Sequence, residues 1–443
     1  MLISFTFENW RSFRDTNTLN LVATAEKHHS ERVPRINDHK LRILPTVAIY
    51  GGNASGKSNF FKALRFAQWM VTKGASVGKS ISLNPFRPDG LQKPSCFGFV
   101  FSIRDNDNRD QIYDYSFALS KTKVLTEKLV WVKKNSEIVL FERQDGKTSD
   151  FHKTIEQDIV LHAVLKSTRE NQLFLTNATS QDTRQYNTKQ LLQVFDWFAK
   201  LVLIAPDAVC PDIMLEPSSD LIGTTLALLG TGIEKLKLEK IDFDGKYFPQ
   251  GMIDDEMKTR LLAGVEKFVA HSNLGDRYIV SEENGELVAQ KLVSVHQGGT
   301  IFDLKDDSDG TIRVIDLLPC FLSASKQNSE RTYVIDELDR SLHTLLLRGL
   351  LESYLASCSP ESRSQIIFTT HDVLQMDQNL LRRDEMWVTD RKNDGTTELV
   401  PFSAFKEIRK DKSIRTSYLR GQLGGTPKLL LHGAFPQEID KED

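Results

Sequence analysis

Gly51-Gly-Asn-Ala-Ser-Gly-Lys-Ser58 matches the pattern G-x-x-x-x-G-K-S in full. Directly before it, the apolar run from Thr46 to Tyr50 has the composition of a buried parallel strand. Beyond Ser58, apolar residues recur at helical spacing and predict a helix that ends at about Thr72. A strand, a glycine-rich turn and a helix in this order are typical of a loop that binds phosphate groups.

The residue types of this loop indicate the chemistry. Its glycines let the backbone curl, so that successive N–H groups and the N-terminus of the helix face phosphate oxygens. Lys57 would neutralise β- and γ-phosphates, and the Ser58 hydroxyl would bind Mg²⁺. The alternative, a Gly/Ser-rich turn without a ligand, is disfavoured by the flanking strand and helix. The expected nucleotide contacts are Gly51, Gly52, Asn53, Ala54, Ser55, Gly56, Lys57, Ser58 and Asn59.

Two consecutive acids follow a second apolar run, Tyr333 to Ile335, in the C-terminal third of the chain. We expect Asp336 to hold the Mg²⁺ shell and Glu337 to orient and polarise the attacking water, since positioning and electrostatics dominate phosphoryl transfer. Adjacent acids at a strand end are often only a solvated turn. An intact phosphate-binding loop in the same chain favours the functional interpretation.

A second possible phosphate contact is the turn formed by Ser308, Asp309, Gly310 and Thr311. It opens an apolar helix predicted for residues 312–322, so its free N–H groups suit a γ-phosphate. The chain's own glycine-rich loop already surrounds the phosphates. We therefore expect this turn to serve the nucleotide of a second subunit.

His371 follows a short apolar strand, Ile366 to Phe368. At the carboxyl end of that strand, its ring could hydrogen-bond the γ-phosphate and report whether that group is present. A capping or buried histidine is the alternative. Its position after the acidic pair favours the functional role.

Together these motifs resemble the ABC-type ATPase heads of the SMC and RecF kind. They resemble more closely the stand-alone bacterial ATPases of anti-phage systems of the abortive-infection, PARIS, Septu and retron types. The matching segments span nearly the whole chain and are Phe7-Glu-Asn-Trp-Arg-Ser-Phe13, the P-loop, Asp307-Ser-Asp-Gly-Thr-Ile-Arg313, Val334-Ile-Asp-Glu-Leu-Asp-Arg-Ser-Leu-His343, Thr370-His371 and Tyr418-Leu-Arg-Gly-Gln-Leu-Gly-Gly-Thr-Pro427.

By this resemblance the serine turn is the signature loop, Asp339 belongs to the loop that communicates across a dimer, and Arg11 contacts a phosphate or the adenine side. The signature reads Ser-Asp-Gly-Thr where transporter heads have Ser-Gly-Gly-Gln. Gln172 and Gln181 are weak candidates for the Q-loop glutamine. The pair Gln422-Leu423 stands where this group more often has Arg-Tyr, which leaves the role of that loop open.

The expected fold class is α/β: a P-loop NTPase of ABC-ATPase head type, with a mixed sheet, an antiparallel β meander and a helical signature lobe. Period-two alternation from Cys96 to Phe141 predicts the meander. Further helices are predicted over 254–271 and, from leucines at 338, 342, 345, 346 and 350, after the acidic pair. We expect one half of the nucleotide-binding lobe in 1–180, the signature lobe in 181–322, and the other half in 323–443.

Composition and missing motifs exclude several classes. The chain has 443 residues and a net charge of −3, so no global charge favours nucleic acid or an acidic membrane. Its four cysteines form no C-x-x-C pair, and no apolar run approaches the roughly 18 to 20 residues that span a bilayer. A GTPase would need Asn-Lys-x-Asp, and a hexameric AAA+ motor usually has its acidic strand soon after the P-loop. Neither a nuclease cluster of acids nor a metal role for His28 and His29 is indicated.

The leading hypothesis is a cytoplasmic ATPase with ATP and Mg²⁺ as cofactors. Two copies would dimerise head to tail, with Lys57 of one subunit and Ser308 of the other on each nucleotide. By resemblance, the dimer would sense a phage component and control an effector, commonly a TOPRIM or HNH nuclease encoded nearby. The rival hypotheses are a DNA clamp of repair or genome maintenance and a slowly hydrolysing scaffold.

Overall fold

The computed structural model describes residues 1–89, 93–145, 147–151, 158–180, 189–214, 219–241, 258, 261, 268–271, 276–405 and 413–426. No helix within these ranges is both long and apolar enough to cross a membrane. The strands in chain order are β1 (Leu2–Glu8), β2 (Asn17–Asn20), β3 (Arg35–Ile36), β4 (Leu41–Arg42), β5 (Thr46–Tyr50), β6 (Ser95–Arg104), β7 (Asp110–Leu119), β8 (Val124–Val132), β9 (Glu137–Gln144), β10 (Lys147–Phe151), β11 (Val202–Ile204), β12 (Ile233–Ile241), β13 (Phe268–His271), β14 (Arg277–Glu283), β15 (Glu286–His296), β16 (Ile301–Asp303), β17 (Thr332–Ile335), β18 (Gln365–Thr369), β19 (Met386–Arg391) and β20 (Thr397–Pro401). The α-helices of six residues or more with described bounds are α1 (Lys57–Thr72), α2 (Ile159–Ser167), α3 (Phe174–Thr179), α4 (Lys189–Lys200), α5 (Asp220–Leu228), α6 (Asp309–Ala324), α7 (Thr344–Ser357) and α8 (Ile414–Leu419).

The central sheet has the strand order β11-β17-β18-β5-β19-β20 and is parallel except for the pairing of β19 with β20. In β5, Val47 and Ile49 point into one apolar core and Ala48 and Tyr50 into another. A strand buried on both faces has no polar positions, which explains its uninterrupted apolar sequence. The predicted strand and the helix after it are confirmed.

A seven-stranded antiparallel sheet, β10-β9-β8-β7-β6-β1-β2, covers the other side of α1. Phenylalanines from both sides fill this core: the rings of Phe5 and Phe99 are 4.7 Å apart, and that of Phe60 on α1 is 6.0 Å from Phe5. The expected meander from Cys96 to Phe141 is confirmed as β6 to β9. The apolar residues of α1 therefore pack between the two sheets, which fixes the helix that follows the glycine-rich loop.

The helix after the acidic pair begins later than expected. Residues 336–341 form turns, and α7 starts at Thr344. Glu337 and Ser341 have φ values of 51° and 60°, which are incompatible with an α-helix. Leu338 is buried but lies in this turn, and Leu345 is 68% exposed, so the prediction of one helical leucine face was wrong at these positions.

A five-stranded antiparallel sheet of β12 to β16 precedes the serine turn and was not predicted. Arg277 of β14 makes a buried two-pronged ion pair with Asp316 of α6, at 3.0 and 2.7 Å, which ties this sheet to the helix. The helix predicted to reach His271 is wrong over Phe268–His271, which is β13; residues 254–257 lie outside the described ranges. The α/β class with a mixed sheet is confirmed, and the lobe boundaries stay predictions.

Candidate functional site

The glycine-rich loop joins β5 to α1 and takes a shape that two of its glycines make possible. Gly56 has a φ of 117°, and a Cβ there would lie 2.6 Å from Thr397 Cγ2. A Cβ on Gly51 would lie 2.4 Å from both Ser55 Oγ and Thr389 Oγ1. Larger residues would push the loop away from β19 and β20. Sheet packing therefore holds the loop against the carboxyl edge of the central sheet.

Several backbone N–H groups of this loop are free to bind an anion. Among the described residues no acceptor is found for the N–H groups of Asn53, Ala54, Gly56, Lys57 or Ser58. Asn53 and Ala54 are exposed, and the last two N–H groups belong to the first turn of α1. Unpaired N–H groups at a helix N-terminus attract phosphate. The loop therefore has the donors that a triphosphate requires.

Lys57 is a buried cation without a carboxylate in direct contact among the described residues. Its Nζ donates to Gly51 O at 2.6 Å and Gly52 O at 3.1 Å, and lies 3.4 Å from His371 Nδ1. Burial lowers the pKa of this ammonium to about 8, although Asp339, Asp336 and Glu337 act in the opposite direction. An anion beside Nζ would compensate its desolvation.

The acidic pair is held by Thr369 at the end of β18. The Thr369 hydroxyl donates to Asp336 Oδ1 at 2.6 Å and accepts the Glu337 N–H at 2.8 Å. Asp336 is buried, while Glu337 is half-buried in a left-handed conformation that non-glycine residues rarely adopt. This conformation turns the chain at the end of β17 and separates the environments of the two carboxylates.

His371 and Asp339 lie on adjoining loops. The backbone N–H of His371 donates to both carboxylate oxygens of Asp339, at 3.2 and 3.1 Å. Burial, followed by the charge of Lys57, lowers the pKa of the imidazole. His371 is therefore mostly neutral at pH 7 and can accept or donate a hydrogen bond. The loop of Asp339 is coupled to the histidine through the backbone.

One cleft of about 410 Å³ collects the loop and the carboxyl ends of neighbouring strands. Of the sequence-derived candidates, it brings together the glycine-rich loop from Gly52 to Asn59, Glu337 and His371. Asp336 is buried behind it, tied to the strand end by Thr369. No group of three or more His, Cys, Asp or Glu side chains suited to a metal occurs among the described residues.

The serine turn does not line this cleft. Ser308 caps α6, accepting the Thr311 N–H at 3.2 Å, and the N–H groups of Asp309 and Gly310 have no acceptor in the described part of the chain. A Cβ on Gly310 would lie 2.9 Å from Ser341 O, so the turn packs on the loop that follows Asp339.

Arg11 also lies outside the cleft lining. Its guanidinium is 5.7 Å from the Trp10 ring centre, and its Nε has no hydrogen bond to any described residue. Burial and the nearby Arg87 lower its pKa. The next residue, Ser12, does line the cleft and accepts a hydrogen bond from Asn59 Nδ2 at 2.9 Å.

Sequence reasoning missed three side chains, Thr369, Ser12 and Arg391. Arg391 ends β19, lines the cleft and lies 3.5 Å from Ala54 O; it forms no ion pair within the described residues. Thr369 adjoins the Thr-His motif and could have been found there, whereas Arg391 reaches the loop only because β19 pairs with β5.

Of the two glutamines weighed for the Q-loop, the structure describes Gln172 alone. Gln172 Oε1 accepts from Arg169 Nε at 3.1 Å, and the residue does not line the cleft. Gln181 lies outside the described residues. The position of a Q-loop glutamine is therefore not assigned.

Comparison with known proteins agrees with this geometry. The profile of the family described as "AAA domain, putative AbiEii toxin, Type IV TA system" matches residues 47–192 and 244–377, more than half of the chain. Two solved structures are similar: the SMC head domain from Thermotoga maritima (14% identity, TM-score 0.35, 90% of this chain and 98% of that one) and an SMC head bound to the C-terminal winged-helix domain of ScpA (12%, 0.39, 90% and 97%). No curated protein sequence matches significantly. The family model and the P-loop together support nucleotide binding, and the chain belongs to the AAA-domain family named above.

Proposed function

We propose that this protein is an ATP-hydrolysing switch that closes as a head-to-tail dimer around ATP·Mg²⁺ and controls an effector in anti-phage defence. One observation carries the proposal. The cleft gathers a buried lysine, a half-buried glutamate and a neutral histidine, while the serine turn with its free N–H groups lies outside it. The described residues supply phosphate donors but no cover for the γ-phosphate, and such a site suits completion by a second copy.

The residues present fit ATP and Mg²⁺. The free N–H groups of the loop and the Lys57 ammonium match a triphosphate, and Ser58 and Asp336 provide the oxygens that Mg²⁺ prefers. When bound, Mg²⁺ neutralises phosphate charge in the reaction. Glu337 is less buried than Asp336 and would orient the attacking water. His371 would contact the γ-phosphate through its neutral ring.

Dimerisation would bring the serine turn of one subunit over the nucleotide of the other. Gly310 touches the loop that follows Asp339, and Asp339 accepts the N–H of His371. Loss of the γ-phosphate would therefore remove a contact of His371 and, through Asp339, change the position of the serine turn. ATP would favour the closed dimer and ADP the open one.

The proposal that the protein controls an effector is supported by the family description. The family description names a toxin of a type IV toxin–antitoxin system. A switch of this kind suits the control of a toxic partner, for which we propose a TOPRIM or HNH nuclease encoded nearby, released by a phage-derived trigger.

Single-turnover hydrolysis tests the catalytic part. Glu337→Gln should lower the rate by about 10²–10³-fold and keep ATP binding, because the amide cannot polarise water. The matched control is Glu352→Gln on the surface of α7, which should hydrolyse at the wild-type rate. Equal rates for wild type and Glu337→Gln would show that Glu337 is not the catalytic base.

Co-expression with the neighbouring gene tests the effector part. The expected result is co-purification of a nuclease with Glu337→Gln and its release after exchange into ADP. Labelled duplex DNA, with and without a non-hydrolysable ATP analogue over a salt series, tests the clamp hypothesis. ATP-dependent duplex binding without any bound effector would contradict the proposed role.

A further inference from the structure

The turn after α8 contacts the back of the glycine-rich loop, although it lies outside the family-matched ranges. We propose that Gly424 and Gly425 form a positioning element of the nucleotide site, which holds the loop in its phosphate-binding shape. This inference rests on nucleotide binding at the loop and requires neither hydrolysis nor dimerisation.

The main contact is short and central to the loop. The Gly52 N–H donates to Gly425 O at 2.6 Å, and the buried Tyr418 hydroxyl donates to the same oxygen at 3.0 Å. The Gly425 N–H donates to Asp390 Oδ1 at 2.7 Å. Gly425 is therefore anchored to α8 on one side and to β19 on the other. Its carbonyl is presented to the loop by groups that belong to the folded core.

The backbone conformation and the close neighbours of these two positions both favour glycine. Gly424 and Gly425 have φ values of 67° and 66°. A Cβ on Gly425 would lie 2.2 Å from Val388 Cγ2 and 2.9 Å from Thr389 O. A Cβ on Gly424 would lie 2.9 Å from the Asp390 carboxyl carbon. The left-handed φ values favour glycine, and the close approach of Val388 and Thr389 leaves no room for a Cβ at Gly425 without displacement of its neighbours.

The turn at Gly424 and Gly425 binds one backbone N–H group of the glycine-rich loop, while other N–H groups of the loop face the phosphate site. The Gly52 N–H is bound by Gly425 and the Ser55 N–H by Gly52 O, whereas the other N–H groups from Asn53 to Ser58 have no acceptor among the described residues. On the other side of the same residue, Lys57 Nζ donates to Gly52 O at 3.1 Å. Because Gly52 is held through both of its peptide groups, the first residues of the loop cannot rotate into the cleft. We infer that nucleotide affinity depends on this contact.

Gly425→Ala tests the inference, with Gly421→Ala as the matched control. Gly421 has a φ of 73°, so alanine there is similarly strained, but within the described ranges its Cβ would meet only Thr426 Oγ1, at 3.5 Å. The probe is fluorescent ADP with Mg²⁺, titrated against monomer, and thermal unfolding is measured without nucleotide. Gly425→Ala should bind ADP about tenfold more weakly, a difference of about 1.4 kcal/mol. Gly421→Ala should bind as tightly as wild type.

Tyr418→Phe is the milder variant, since it removes one hydrogen-bond donor from the Gly425 carbonyl and keeps the packing. It should weaken ADP binding about threefold. If Gly425→Ala does not fold, this variant decides alone. A common loss of thermal stability with unchanged ADP affinity in all variants overturns the inference. A wild type that binds no ADP would instead refute nucleotide binding at the loop itself.

Discussion

Replacing Thr369 with valine tests whether the threonine hydroxyl positions the acidic pair, because the substitution leaves the packing of the core nearly unchanged. The side chain is fully buried and bonds the Asp336 carboxylate at 2.6 Å and the Glu337 N–H at 2.8 Å. Valine has nearly the same volume, so no cavity forms, but a buried carboxylate and a backbone donor lose their partner. From two hydrogen bonds, one of them to a charged group, we expect the free energy of unfolding to fall by about 2–3 kcal/mol.

The effect on hydrolysis should exceed the effect on binding. Thr369 accepts the backbone N–H of Glu337 and so helps to fix the left-handed conformation of this residue. Without that hydrogen bond, the Glu337 carboxylate should shift. Misplacement by about 1 Å lowers rates by about 10²-fold. We expect single-turnover hydrolysis at saturating ATP to fall by about 10–100-fold, with less than about a threefold change in nucleotide affinity.

Thr332→Val is the matched control. Thr332 is also a buried threonine of the central sheet, at the opposite end of the neighbouring strand, and bonds Gln365 Oε1 at 3.2 Å. It should lose about 1 kcal/mol of stability and no hydrolysis. Equal hydrolysis rates for the two variants, after both are shown folded by urea unfolding, would refute the role assigned to Thr369.

Three further predictions concern the cleft and the turn. Burial holds the pKa of Lys57 at about 8 and bound phosphate should raise it, so ATP affinity should be highest below pH 8 and should fall above it. Calorimetry in two buffers should show that ATP binding takes up protons at about pH 8.5. Constant ATP affinity up to about pH 9.5 would contradict this prediction. Arg391→Ala should weaken ATP binding about threefold to tenfold, with Arg391→Lys intermediate and the exposed Arg109→Ala unchanged; equal affinities in equilibrium dialysis would exclude a ligand contact. Gly310→Ala should lower steady-state hydrolysis about tenfold without changing ADP affinity of the monomer, since its Cβ meets Ser341 O at 2.9 Å; weakened monomer binding would place the turn in its own subunit's site.

The sequence was most informative where local pattern and tertiary structure agree. An uninterrupted apolar run, a glycine-rich turn and a helical period predicted β5 and α1, because burial on both strand faces leaves no polar positions. The period-two pattern predicted β6 to β9 for the same kind of reason. The leucines after the acidic pair predicted a helix that starts too early. The positive φ values at Glu337 and Ser341 prevent it, and they depend on contacts with β18 and the serine turn that the local sequence does not show.

The parts of the site that the sequence did not predict arise from pairing between distant segments. Arg391 reaches the glycine-rich loop through the parallel pairing of β19 with β5. Gly425 reaches Gly52 because Leu423 and Tyr418 are buried in the second apolar core. Neither contact has a local periodicity. The β12–β16 sheet likewise depends on long-range pairing, as between β12 and β15.

The central claim is that each nucleotide is held by two copies of the chain. Its most direct test mixes two inactive variants, Lys57→Ala and Ser308→Arg, and measures hydrolysis. A mixed dimer that shares sites has one doubly altered site and one with intact Lys57 and Ser308. Since about half of the dimers are mixed, activity should return to about a quarter of the wild-type rate. A mixture as inactive as its components would contradict the shared site.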